Sequence, residues 1–111
     1  KLQEYSSIRQ DVAKSQCEIE QARLLTLKAA YMMDTVGNKA ATDIIAMIKI
    51  VAPNMLLKVV DRAMQIYGAK GVSQDLPLSQ FYLYGRMLKY ADGPDEVHMY
   101  QLGKRTINRF S

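Results

Sequence analysis

Residues 2–37 read LQEYSSIRQDVAKSQCEIEQARLLTLKAAYMMDTVG, and one spacing runs through them. Counting on from Tyr5 in alternate threes and fours gives Ile8, Val12, Ser15, Ile19, Ala22, Thr26, Ala29, Met33 and Val36. Eight of these ten positions are apolar, which is the seam of a long helix packed against neighbours. Ser15 and Thr26 are small enough to keep the approach close. Between the seam positions lie Glu18, Glu20, Gln21 and Arg23, read as a wet face. Gly37 and Asn38 tolerate positive φ and end the helix. The spacing therefore predicts a helix over residues 2–36.

The same reading carries on downstream. A second helix is expected from about residue 39 or 42 to 67, with Ile44, Ile45, Ile48, Val51, Met55, Leu56, Val59, Ala63 and Ile66 forming a broad apolar face. Pro53 sits inside it and removes one backbone donor. The apolar pattern resumes in phase after it, so one bent helix is expected rather than two. Gly68-Ala69-Lys70-Gly71 stops that helix, and residues 68–76 read as a loop of turn formers. Pro77 suits the first turn of a third helix, to about residue 90. Gly93-Pro94 breaks the chain again. Asp95 and Glu96 follow, where negative charge favours a helix N-terminus, and a fourth helix runs from about 94 to 108. No strand signal competes. The expected fold is all-α, an antiparallel helical bundle. Two of its helices are long for so small a domain, which suits a piece that packs against other chains or domains.

At 111 residues the chain is long enough for one small domain, and 49% of it is apolar, enough for a core. No run of 18 apolar residues is present, so no transmembrane segment is expected. Cys17 is the only cysteine, which excludes an internal disulfide and fits a reducing compartment. The net charge of +4 is mild, and the basic residues are scattered. Nucleic-acid binding would want a basic face with interleaved aromatics, so no nucleic-acid partner is expected. The densest basic cluster, Lys104, Arg105 and Arg109, reads as a solvated helix end. His98 is the single histidine, and one imidazole cannot make a metal site. Taken alone, Gly68-Ala69-Lys70-Gly71 is a helix cap and Asp92-Gly93 is a common turn.

Taken together, and in order, these segments resemble something more specific. The stretch Ala63-Met64-Gln65-Ile66-Tyr67-Gly68-Ala69-Lys70-Gly71-Val72 resembles the acyl-CoA dehydrogenase segment Ala-x-Gln-x-x-Gly-Gly-x-Gly. Pro77 follows as that family has it, then Gly85-Arg86. The run Asp92-Gly93-Pro94-Asp95-Glu96-Val97 resembles the family's Glu-Gly-Thr-x-Glu/Gln-Ile. Upstream, Ile45-Ala46-Met47-Ile48-Lys49 resembles its Ile-Ala-x-x-Lys stretch. The resemblance covers nearly the whole chain, and its wording is most similar to the subgroup of family members 10 and 11. It implies that residues 1–111 are the C-terminal helical domain of a larger enzyme, lacking the first helix of the family's bundle.

Members of this family oxidise a fatty acyl-CoA to the 2,3-enoyl-CoA, as in fatty acid β-oxidation. A carboxylate takes the α-proton while the β-hydrogen leaves as hydride to FAD, and electrons pass on to an electron-transferring flavoprotein or, in oxidase relatives, to oxygen. The C-terminal bundle packs the homo-oligomer, a dimer or tetramer, and lends residues to a neighbour's flavin. The resemblance thus implies Asp92 as the catalytic base, in place of the usual glutamate and one methylene shorter. It implies Gly93 beside the substrate, where the backbone comes close without a Cβ. It implies cofactor contacts from Gln65, Gly68 and Ala69 and from Pro94, Asp95 and Glu96. Pro94 replaces a threonine and loses its hydroxyl; Ala69 replaces a glycine. Leu83-Tyr84 stand where many relatives carry an arginine-aspartate pair, leaving Arg86 as a structural cation. The expected home of the parent is mitochondrial or peroxisomal.

Two consequences follow. The isolated chain is expected neither to hold flavin tightly nor to turn over. Apolar grooves are expected along Ile8, Val12 and Ile19 or along Ile45, Ile48 and Met55, and such stripes drive self-association. Two rival readings make different demands. A non-enzymatic helical interaction module would leave Asp92 and Gln65 facing solvent in plain surroundings. A surface-binding amphipathic protein would need its basic residues on one face.

Overall fold

The computed structural model describes residues 1–91 and 93–111, with only the backbone of Gln3; Asp92 lies outside the described residues. A single 3-10 turn, Leu2–Glu4, leads into α1 (Ser6–Val36), followed by α2 (Thr42–Tyr67), α3 (Leu78–Leu88) and α4 (Asp95–Phe110). The four expected helices are present in order, and no strand occurs among the described residues. A second 3-10 turn, Gly68–Val72, occupies part of the segment expected as loop. The first helix begins later than the spacing suggested, because Tyr5 is extended (φ −79°, ψ 132°).

Side-chain contacts give the directions. Ala29 of α1 packs with Ile44 of α2, while Glu18 pairs with Arg62, so α1 and α2 run antiparallel. Gly85 of α3 lies against Leu57 of α2. Asp95 of α4 meets Asn54, and Arg105 and Arg109 meet Asp43, so α4 also runs antiparallel to α2. Among the described residues no Cα of α1 comes within 8 Å of one in α3 or α4, and α3 and α4 stay equally far apart. The fold is therefore an antiparallel helical assembly built on α2, with the other helices laid against it.

The core explains this openness. Among the described residues the buried apolar side chains include Ala22, Ala29, Ala41, Ile44, Ala46 and Val60, and no large one is fully buried. Alanines let α1 approach α2 closely around Ala29, Ala41 and Ile44, with Leu25, Met32, Ile45 and Ile48 at the margin. Gly37, at φ 86°, ends α1 and donates its N–H to the Met32 carbonyl. Pro53 is buried within α2, which runs through it unbroken. One residue on, Asn54 Nδ2 donates to the Ile50 carbonyl at 2.6 Å.

The face read as wet divides in two. Glu20 and Arg23 stay in solvent as a pair on α1, whereas Glu18 turns to α2 and is held by Arg62. Arg105 and Arg109, expected at a solvated helix end, instead fasten the last turns of α4 to the start of α2. The accessible surface is 8086 Å², against roughly 6,200 Å² for a free-standing globular protein of this mass. The radius of gyration is 16.9 Å, against about 13 Å for a compact domain of this length. Much apolar surface is thus left uncovered. It includes two grooves near the predicted stripes, one lined by Val12 and Ile19 and one by Ile48 and Met55. No helix among the described residues is long and apolar enough to cross a membrane.

Candidate active site

Two turns carry the residues singled out in the sequence. The first closes α2. Gly68 adopts φ 64° and caps the helix, and the chain tightens into the 3-10 turn. Gly71 is buried where this turn folds back on α2; a Cβ there would stand 2.5 Å from the Met64 carbonyl oxygen, so only glycine fits. Gln65, Gly68, Ala69 and Lys70 are exposed. Gln65 and Gly68 share an open groove of about 270 Å³ with Asp61, Met64, Val72 and Tyr82. Nothing lies within 4 Å of the place where a Cβ on Gly68 would stand, so a ligand has unshielded access to the backbone there.

The second turn joins α3 to α4. Lys89 and Tyr90 continue α3 in 3-10 fashion, donating to the Arg86 and Met87 carbonyls, and the Gly93 N–H reaches the Tyr90 carbonyl at 3.3 Å. Gly93 has φ 112°, a conformation that L side chains rarely adopt. Pro94 is extended and caps α4. Glu96 is exposed. Asp95 is buried at 5% exposure, its carboxylate turned inward onto Asn54 and Lys89. An apolar groove of about 480 Å³ opens beside this turn, lined among others by Ile48, Pro53, Met55, Leu56, Leu88 and Ala91.

The two turns are not neighbours within the chain. Gln65 and Asn54 stand eleven residues apart on one helix, roughly 17 Å at 1.5 Å per residue. Sequence reading missed Asn54 and Lys89 behind the second turn, and missed that Asp95 turns inward to them. Asn54, Lys89 and Asp95 meet there, and the Nε2 of His98 is buried against Gly93 with no hydrogen-bond partner among the described residues. Neither periodicity nor motif spacing pointed to Asn54 or Lys89. No group of three metal-ligating side chains occurs among the described residues.

The acyl-CoA dehydrogenase C-terminal domain, as a family model, matches residues 1–107. The chain belongs to the acyl-CoA dehydrogenase family. It is 53% identical over 99% of its length to acyl-CoA dehydrogenase family member 10 of Mus musculus. It is 51% identical over 96% of its length to family member 11 of Rattus norvegicus. A solved structure assigned as an acyl-CoA dehydrogenase from Mycobacterium abscessus superposes at a TM-score of 0.95, with 38% identity over 98% of the chain. The subgroup resemblance seen in the motifs is thereby borne out. The chain spans only 10% of the mouse protein, 14% of the rat protein and 27% of the mycobacterial one.

Proposed function

We propose that this chain works as the C-terminal helical part of a larger FAD-dependent acyl-CoA dehydrogenase, contributing the base at Asp92 and contacts to flavin across a subunit boundary. The observation that carries the reading is the apolar groove whose lining includes Leu88 and Ala91, the latter one residue before Asp92 in the chain. Its size falls in the range of small-molecule sites, about 300–1,000 Å³, and its hydrocarbon lining suits an acyl chain.

In this reading the Asp92 carboxylate takes the α-proton of the acyl thioester. A base must come within hydrogen-bonding reach of that carbon, and a side chain one methylene shorter than glutamate demands a closer approach of backbone and substrate. Gly93, without a Cβ, permits it. The electrons of the broken α-C–H bond form the new double bond as the β-hydrogen departs with its own pair. FAD, when bound, would supply the acceptor for that hydride, and an electron-transferring flavoprotein or another acceptor would be the partner that takes the electrons on.

The residues at the α2 end fit a flavin diphosphate. Gln65 offers an exposed amide, Lys70 an exposed cation, and Gly68 an unscreened backbone. Asp61 lines the same groove, so the anion belongs at the Gly68 end. The distance along α2 between this turn and the Asp92 turn supports their serving different active sites, one of them in a neighbouring subunit. Pro94 and Glu96 remain in the proposed cofactor segment. For Asp95 only the backbone is available, because its carboxylate is engaged inside the fold. Gln65 is exposed, as an interaction module would also have it, but a residue that reaches a neighbour's cofactor is exposed on its own chain too.

The test is the full-length parent and its Asp92→Asn variant. Normal flavin content with loss of acyl-CoA-dependent flavin bleaching supports the base assignment. Undiminished bleaching defeats it.

A further inference from the structure

The connection between α3 and α4 is gripped at both ends by one side chain of α2. Lys89, three residues before Asp92, donates from Nζ to Asn54 Oδ1 at 2.9 Å. Asp95, three residues after it, accepts from Asn54 Nδ2 at 3.0 Å through Oδ2. Lys89 Nζ and Asp95 Oδ2 are themselves 3.3 Å apart, closing a ring of three polar groups. The ring is well shielded, the Lys89 and Asp95 side chains being 22% and 7% exposed. Asn54 is itself fixed by its bond to the Ile50 carbonyl.

Such a ring is a poor device for stability alone. A shielded ion pair loses much of its attraction to desolvation, and apolar side chains of similar volume often serve as well or better. Here the cost is visible, because Asp95 Oδ1 is buried without a hydrogen-bond partner among the described residues. What a hydrogen-bonded ring does better than apolar contact is fix direction. Two hydrogen bonds meeting at a side chain anchored to its own helix, with the ion pair that closes the ring, hold two points of the chain in one relative position. Those two points bracket Asp92.

The geometry points to Lys89 as a positioning residue for the reaction, acting through Asn54 and Asp95 to hold the connection that carries the base. This inference rests on the proposed assignment of Asp92. A base displaced by about 1 Å loses on the order of a hundredfold in rate, so the grip matters to chemistry more than to binding.

The experiment uses the full-length flavoenzyme. The probe is whichever straight-chain acyl-CoA, from butanoyl- to docosanoyl-CoA, bleaches the unmodified flavin fastest. Flavin content, thermal midpoint, KM and first-turnover bleaching rate are measured for Lys89→Met, Lys89→Arg, Asp95→Asn and Asp92→Asn. Lys89→Met is expected to keep its flavin and a KM within about threefold of the unmodified value while bleaching falls by roughly tenfold or more. Lys89→Arg restores most of the rate, because a cation again reaches Asn54 and Asp95. If Lys89→Met does not yield soluble holoenzyme, Asp95→Asn, which keeps the shape and removes the charge, is expected to show the same split. Unchanged bleaching in flavin-replete Lys89→Met, or in Asp95→Asn where that variant decides, overturns the inference. So does an equal fall in Lys89→Met and Lys89→Arg that only tracks the thermal midpoint. Loss of bleaching in Asp92→Asn alone would leave the base in place and remove the grip. Undiminished bleaching in Asp92→Asn would remove both.

Discussion

Arg62 of α2 holds Glu18 of α1 in a two-pronged ion pair, Nη1 to Oε2 at 2.6 Å and Nη2 to Oε1 at 3.0 Å, with Ser15 Oγ accepting a further bond from Nη1 at 3.3 Å. Both charged side chains are about three-quarters shielded. The parallel fork geometry suits a carboxylate far better than a single ammonium would. The pair ties the middle of α1 to the second half of α2, well away from the alanine contact near Ala29. Replacing Arg62 by methionine keeps most of the packing but strands Glu18, and should lower the thermal midpoint by about 2–4 °C. Scanning calorimetry of the parent enzyme and the Arg62→Met variant checks this; an unchanged midpoint would count against the pair as a tie between the helices.

The same pair makes stability depend on pH. The hydrogen bond from Arg62 holds the Glu18 carboxyl below its usual range, against a smaller opposing effect of burial. Asp43 is lowered likewise, first by Arg105 and then by Arg109. A carboxylate with a depressed folded-state pKa stabilises fully above its unfolded value and loses that contribution as pH falls through the folded one. The contribution of both groups is therefore intact above about pH 4.5 and fades below it. Glu18→Gln and Asp43→Asn should be less stable than the unmodified enzyme at neutral pH, and the difference should shrink steadily as the buffer is acidified.

Gly71 and Gly85 are both buried, yet they should respond differently to alanine. At Gly71 the new Cβ would meet the backbone oxygen of Met64 at 2.5 Å, and backbone cannot easily yield. Gly71→Ala should cost about 1–3 kcal/mol. At Gly85 the nearest atom is the end of the Leu57 side chain at 2.9 Å, which can turn aside. There the gain in helix propensity, about 1 kcal/mol, offsets much of the crowding. Urea unfolding of the two variants should rank them clearly, with Gly85→Ala close to the unmodified protein.

Gly93 makes no demand for space, since its nearest neighbour to an added Cβ is His98 Nε2 at 3.6 Å. Its φ of 112° is the constraint. Gly93→Ala should cost about 1–3 kcal/mol or drive the connection into another conformation. Either result should slow flavin bleaching in the parent enzyme more than it weakens flavin binding. Equal bleaching rates for Gly93→Ala and the unmodified enzyme would show that the strain has no bearing on the chemistry.

The isolated chain should not persist as a monomer. Val12, Leu24, Leu27, Tyr31 and Val36 are each more than half exposed along α1 alone. The excess of accessible surface over a compact protein of this mass, roughly 1,900 Å², exceeds the area of about 800 Å² that one partner gives up in a standard interface. Sedimentation at increasing concentration should show association; a single monomer boundary throughout would contradict it.

Four helices and their order were legible from the residues. The periods from Tyr5 to Val36 and from Ile44 to Ile66 are local facts, and Gly37, Gly68 and Gly93 stand where the backbone takes positive φ. Pro53 left α2 continuous, as the unbroken phase of its apolar face implied. The residue order around Gln65-Gly68 and Asp92-Gly93 was enough to point to the family. None of this depends on what a residue meets across space.

The partners across space came only with the fold. Glu18 and Arg62 are 44 residues apart, Asp43 and Arg109 are 66 apart, and no periodicity links them. In sequence Asp95 read as a helix-start charge and a cofactor contact. It proved to be buried, because α4 leaves the Gly93-Pro94 turn at an angle that lays its first residue against Asn54. Period and turn chemistry depend on neighbours a few residues away, so sequence determines them. Which face of α2 receives each of the other helices depends on the close packing of distant side chains, and that only the tertiary structure decided.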